Sequence, residues 1–281
     1  MKLKKILSLI GVGIFAGTLF TGCGENGKVN PPEEVKIGMI TTLNASEQKV
    51  SDILKKVEEK SNVKISPHRI TFYNNLSNMQ MGLESGSVDE ISTYECVANY
   101  LTAKNPKITI LDNHYMPLSD SFCFAVRKGD TMLKNDLNKA IKEMENDGTL
   151  VNLSKKYIVE LKNGAEPPAV EIPMIDGADT IKVAVTGDLP PFDMILADGT
   201  PAGYSTAVLA EVSKRINKNI ELVSVDSSAR ATILTSKGAD VVFWVAVPKD
   251  SNLLPANIDI PAEIDVSNSY YSDNIVHIGK K

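Results

Sequence analysis

The chain has 281 residues, 43% of them hydrophobic and 23% charged, with a formal net charge of -5 at pH 7. That length suits two compact units better than one, and the acidic balance makes nucleic acid a poor partner. The three histidines, His68, His114 and His277, lie far apart with no cysteine or carboxylate at ligand spacing. A zinc site is therefore not expected, and no cofactor motif is apparent.

Lys2, Lys4 and Lys5 precede an apolar run from Ile6 to Phe20, and Thr21-Gly22-Cys23 follows. The run is about 15 residues, short of the roughly 20 that a helix needs to cross a bilayer. Residues 1–22 therefore read as a secretory signal peptide. Its removal takes three lysines and no acids, moving the formal charge from -5 to about -8. The stretch Leu19-Phe20-Thr21-Gly22-Cys23 resembles the bacterial lipobox, with Phe20 where leucine is usual. The resemblance implies lipidation of Cys23 and anchoring at the cell membrane; an ordinary secreted protein with an early cysteine is the alternative. Residues 23–34, polar and rich in Gly and Pro, read as a tether. Beyond Cys23 there are only Cys96 and Cys123. A disulfide is permitted outside the cytoplasm, but two buried thiols are the expectation.

Val35 to Ile40 fits a strand, Thr41 to Asn44 a loop, and Val50, Ile53, Leu54 and Val57 a helical period. Extended segments follow at Val63 to Ile65 and Ile70 to Tyr73, then a short helix near Leu76 to Leu83 and a strand after Gly86. Asp130 to Tyr157 reads as two helices joined at Asp147-Gly148-Thr149, and residues 162–179, with three prolines, as a linker. The second half repeats the first: a strand at Ile181 to Val185, a loop at Asp188 to Phe192, a helix through Ala207 to Ile216. A strand at Ile220 to Val225, a short helix at Ala229 to Thr235 and a strand at Val241 to Phe243 complete it. Such alternation predicts two parallel α/β lobes with a cleft between them, lined by loops at the carboxyl ends of the strands. Thr41, Thr42 and Asp188 to Phe192 fall on those loops.

The stretches Ile181-Lys-Val-Ala-Val, Leu189-Pro-Pro-Phe192, Ala197-Asp-Gly-Thr-Pro-Ala-Gly-Tyr204, Gly238-Ala-Asp-Val241 and Asp265 to Tyr271 resemble the first lobe of amino-acid-type bacterial solute-binding proteins. Gly86-Ser-Val-Asp89, Val97-Ala-Asn-Tyr100, Lys104-Asn-Pro106 and Phe122 to Asp130 resemble the second lobe, and Asn138 to Thr149 with Lys155-Lys-Tyr157 the closing helices. The resemblance implies a two-lobed, Venus-flytrap periplasmic-binding fold in circularly permuted order. Residues 35–127 would form the family's second lobe, 128–161 the closing helices docked on the other lobe, and 180–281 the first lobe. The hinge would then cross near Phe122 to Val126 and Asn274 to Ile278. A plain tandem of two lobes is the alternative.

The same resemblance implies a non-enzymatic, monomeric binding component that passes a small molecule to an ABC transporter permease. It places ligand contacts at Phe192, with Asp188 and Tyr204 close by; Trp244, the only tryptophan, follows the strand Val241 to Phe243 and so points to the cleft mouth. The family's two amino-acid anchors are not found: no arginine follows Val241, and the expected aspartate position is Tyr94, with Glu95 beside it. Arg230 is the remaining guanidinium candidate. A dehydratase-like enzyme and a sensor with a degenerate pocket stay open as rivals.

Overall fold

The computed structural model describes residues 34–44, 46, 48–52, 55, 59, 68–111, 118–161, 164–249 and 260–281. The signal, Cys23 and all of the tether before Glu34 lie outside the described residues, as do Val63 to Ile65. No helix among the described residues is long and apolar enough to cross a membrane.

In the first half, β1 (Val35–Ile40) pairs in parallel with β2 (His68–Tyr73) on one side and β3 (Glu90–Tyr94) on the other. Helix α1 (Leu76–Ser85) follows β2. Asn75 caps it, its side chain accepting from the Asn78 N–H, and Gly86 ends it in the left-handed conformation that a side chain disfavours. Leu76, Met79 and Leu83 sit at helical spacing and form its buried face. Helix α2 (Glu95–Lys104), β4 (Ile108–Ile110) and the long β5 (Leu118–Arg127) come next.

Helices α3 (Thr131–Asn146) and α4 (Thr149–Ser154) meet at Gly148, and one turn of wider helix follows at Lys155–Val159. In the second half β6 (Thr180–Val185) leads to a small antiparallel sheet of β7 (Asp188–Leu189), β8 (Asp193–Ile195) and β9 (Pro201–Ala202). Helix α5 (Tyr204–Ile216), β10 (Asn219–Ser224), α6 (Arg230–Thr235), β11 (Val241–Pro248) and β12 (Ile264–Lys280) complete the order.

The expected βαβ alternation is present in both halves, but the sheets are not separate. One nine-stranded sheet runs β10-β6-β11-β5-β12-β3-β1-β2, with β4 added beside β12. The reason is the length of β12, whose 17 residues pair first with β5 and then with β3 and β4. The hand-over falls at Ile275, flanked by Leu118 on β5 and Tyr94 on β3. Of the two expected crossings, Asn274 to Ile278 spans this point. Phe122 to Val126 instead lies wholly on the second-half side, paired with β11 and β12. Strand alternation reads the same on either side of a crossing, so the sequence pattern carries no mark of it.

Helix α3 packs on α5 and β12 through Leu137, Ile141 and Met144, all inaccessible to solvent. At its end Arg215 of α5 reaches Asp147 at 2.7 Å and Glu143 at 3.8 Å. The stretch read as a linker is partly docked: the Val170 N–H donates to the Pro201 carbonyl at 2.8 Å, and Val170 is buried. Cys96 and Cys123 are buried free thiols, and burial pushes the Cys123 thiol up to about 12.

Candidate functional site between the halves

The carboxyl ends of β1 and β3, the start of α6 and the outer part of β11 converge on one cavity of about 60 Å³. Met39, Ile40, Leu43, Leu189 and Val245 give it apolar walls; Thr42, Tyr94, Asp120, Arg230 and Trp244 bring polar groups. This is the position where open α/β sheets present ligand-binding loops.

Arg230, the first residue of α6, is buried, and its guanidinium is held by three carbonyls. Nε donates to Ser227 at 3.1 Å, Nη1 to Trp244 at 2.9 Å, and Nη2 reaches across the cleft to Thr41 at 2.8 Å. Its Cζ lies 4.1 Å from the centroid of the Trp244 ring, a cation–π contact. Burying a charge is costly unless it is hydrogen-bonded, and a planar fork of five N–H groups can meet several carbonyls at once. Thr41 is itself fixed, its N–H and hydroxyl both donating to the Tyr73 carbonyl.

Tyr94 ends β3 and donates its hydroxyl to Asp120 Oδ2 at 3.1 Å. Asp120, buried on β5, is the lining residue that sequence reasoning missed, together with Ser92 and Thr93. The available signal was an acid at the polar start of a strand that is apolar from Phe122 to Val126, since Asp is rarely buried without a purpose. A carboxylate does stand near the position expected for one, bonded to Tyr94, but it comes from β5.

The loop at Asp188 to Phe192 sits in the crevice rather than on its rim. Asp188 Oδ2 accepts from the Leu76 N–H at 2.7 Å, so this carboxylate of the second half caps α1 of the first. Burial pushes its pKa up, against the pull of that hydrogen bond and of the Arg230 charge. Helix α5 holds the loop from below, the N–H groups of Tyr204 and Ser205 donating to the carbonyls of Pro191 and Phe192 at 2.9 Å each. Gly203 makes this approach possible, with φ at +103°; a Cβ there would collide with the Phe192 carbonyl. The Pro190-Pro191 bond is cis. Asp193, fully enclosed behind the loop, accepts from both the N–H and the hydroxyl of Thr186. Burial raises its pKa to about 6.

Phe192 is inaccessible and packs among Phe122 at 4.6 Å, Tyr271 at 5.1 Å, Tyr204 at 6.3 Å and Tyr94 at 6.4 Å between ring centroids. Tyr204 belongs to the same cluster, its hydroxyl donating to the Tyr270 carbonyl at 3.0 Å. The loop thus divides the crevice. Leu189 faces the first cavity, while Pro191 faces a second of about 410 Å³ lined also by Glu95, Cys96, Tyr271 and Asp273. Glu95 belongs to this second space and accepts from Asn274 Nδ2 at 2.7 Å. Of the residues predicted from sequence, the structure gathers Thr42, Tyr94, Arg230 and Trp244 in one cavity. Thr41 and Asp188 are tied across it, Phe192 anchors the dividing loop in the aromatic cluster with Tyr204, and Glu95 lies beyond the loop.

The family model for bacterial extracellular solute-binding proteins, family 3, matches residues 50–160 and 181–250. An 82-residue stretch is 40% identical to the L-cystine-binding protein TcyA of Bacillus subtilis (strain 168), spanning 28% of this chain and 29% of that one. Among solved structures, a nutrient-binding protein from Burkholderia cenocepacia bound to methionine aligns with a TM-score of 0.39 and 12% identity, over 88% of this chain and 84% of its own. A pheromone cOB1 precursor/lipoprotein of the YaeC family from Enterococcus faecalis V583 aligns at 0.42 and 13% identity, over 89% and 86%.

Proposed function

The chain belongs to the bacterial extracellular solute-binding proteins, family 3, and from that premise we propose that it is the membrane-anchored binding component of an ABC-type importer. Lipid on Cys23 would hold it at the membrane, and a permease would receive its cargo. The cargo is a small polar solute, an amino acid or related metabolite, held between the halves. The observation that carries this reading is Arg230, a buried cation that grips the opposite half through Thr41 in a cavity with both apolar walls and polar groups, Asp120 and Tyr94 among them. The L-cystine-binding relative supports the solute class.

At about 60 Å³ the cavity is smaller than the roughly 150 Å³ that admits benzene in an engineered protein. A solute therefore enters only when the halves part. Parting about β5 and β12 breaks the contacts of Thr41, Leu76 and Asn74 with the second half, and uncovers Phe192 from the side of Tyr94. Closure on a solute is then a shift between two forms that the solute binds unequally. Isothermal titration of the mature chain against the common amino acids and L-cystine, paired with small-angle scattering, tests this. At least one compound is expected to bind and to compact the chain; tight binding with no compaction, or no binding at all, would overturn it.

One set of contacts favours a second reading, a sensor or partner-binding module whose pocket has degenerated. Asp188 to Leu76, Arg230 to Thr41 and the Ser227 N–H to the Asn74 carbonyl at 3.1 Å join the halves directly, protein group to protein group. Silence across the panel, with scattering that already matches the closed form, would select this reading.

A further inference from the structure

Trp244 is the single tryptophan of the chain and lines the first cavity from β11. Its indole Nε1 is buried and has no hydrogen-bond partner among the described residues. Buried indoles ordinarily find an acceptor, because a donor stripped of water and left unpaired opposes folding. The ring is held where it stands. The Arg230 guanidinium covers one face, Phe122 packs at 6.1 Å, and the Trp244 carbonyl is bonded to Arg230 Nη1. The nearby Tyr94 hydroxyl is directed to Asp120.

We propose that the Trp244 indole N–H is the specificity-determining donor of this cleft and that it takes a carboxylate oxygen of the bound solute. The inference rests on the reading of the cavity as the solute site and assigns its anionic corner. Arg230 gives three of its N–H directions to backbone carbonyls. It contributes charge and fixes the indole, while Trp244 contributes the hydrogen bond. A carboxylate there gains a charge-assisted bond beside a desolvated cation, and this division of labour replaces the arginine anchor that the sequence lacks. The same corner offers nothing comparable to an ester, whose carbonyl is a weaker acceptor.

The test uses the mature chain with the free L-amino acids, L-cystine included, and their methyl esters as probes. Binding is read by titration calorimetry and by Trp244 emission, which comes from this one site. Two substitutions are compared: Trp244→Phe, and replacement of Trp244 by benzothienylalanine, which keeps the ring shape and deletes only the N–H. The expected result is that a free acid shifts the emission of the unsubstituted chain and binds it at least about tenfold tighter than its ester does. The benzothienyl replacement should weaken the acid by about 10- to 100-fold and leave the ester nearly unchanged. Undiminished acid binding by that replacement, or equal affinity for acid and ester, removes the inference and leaves the solute-binding reading standing. If no probe binds the unsubstituted chain, both fall.

Discussion

A carboxylate in a cleft can hold a ligand or stand in for one, and the hydrogen bonds of Asp188 distinguish the two. Its Oδ2 sits on the N-terminus of α1, 2.7 Å from the Leu76 N–H, where a bound anion would otherwise be favoured. The family resemblance put Asp188 close to Phe192 at the site; it could not reveal that the acid is already engaged by the opposite half. Removing it should loosen closure. Asp188→Ala is expected to cost about 1 kcal/mol, the usual worth of a helix cap, and Asp188→Asn, which keeps an acceptor oxygen, less. In scattering, the unliganded Ala variant should be more expanded than the parent. An Ala variant of unchanged stability and unchanged dimensions would mean that the bond does not help to hold the halves together. Arg230 was legible in part: its type and rarity named it, but its grip on Thr41 joins residues 189 positions apart, which local pattern does not encode.

Helices were the most readable elements, because burial along them follows spacing. Leu137, Ile141 and Met144 recur along one face of α3, and all three are inaccessible. What the spacing left open was the partner, which is chiefly α5 and β12 of the second half, with a smaller contact to β5. Truncating a buried methionine there should cost about 2–5 kcal/mol, whereas an exposed one should be neutral within about 0.5 kcal/mol. Met144→Ala and Met132→Ala make the pair, since Met132 is 78% exposed and Met144 is fully enclosed. Urea denaturation monitored by circular dichroism measures both; equal midpoints would contradict the packing. Strands were less legible. The register of β12 against β5 shifts between Val266 and Ser269 and again before Tyr271, and such irregularities leave no trace in hydrophobic alternation.

At the scale of the whole molecule, order along the chain and order in space diverge. The helices of residues 131–154 precede the half they pack against, and the permuted reading of the sequence is a proposal about why. The ladder also brings distant parts of the chain side by side. Ile37 on β1 and Gly279 on β12 are both register partners of Glu90 on β3, so they lie about two strand spacings, or about 10 Å, apart. They also lie at the same end of the sheet, because β1 runs parallel and β12 antiparallel to β3. A linker of about six Gly and Ser residues can cover that distance from Lys281 to Val35. Opening the chain within residues 162–178 would then restore the order that the resemblance gives to the family. If the permuted reading is right, this rearranged chain should fold with the same content of helix and sheet and bind the same solute within about a factor of three. Docking of α3 on α5 should survive as well, so that Met144→Ala carries the same penalty in both orders. A rearranged chain that is soluble but lacks cooperative unfolding would show that the halves depend on their present connection through residues 162–178, and the tandem reading would then stand in place of the permuted one.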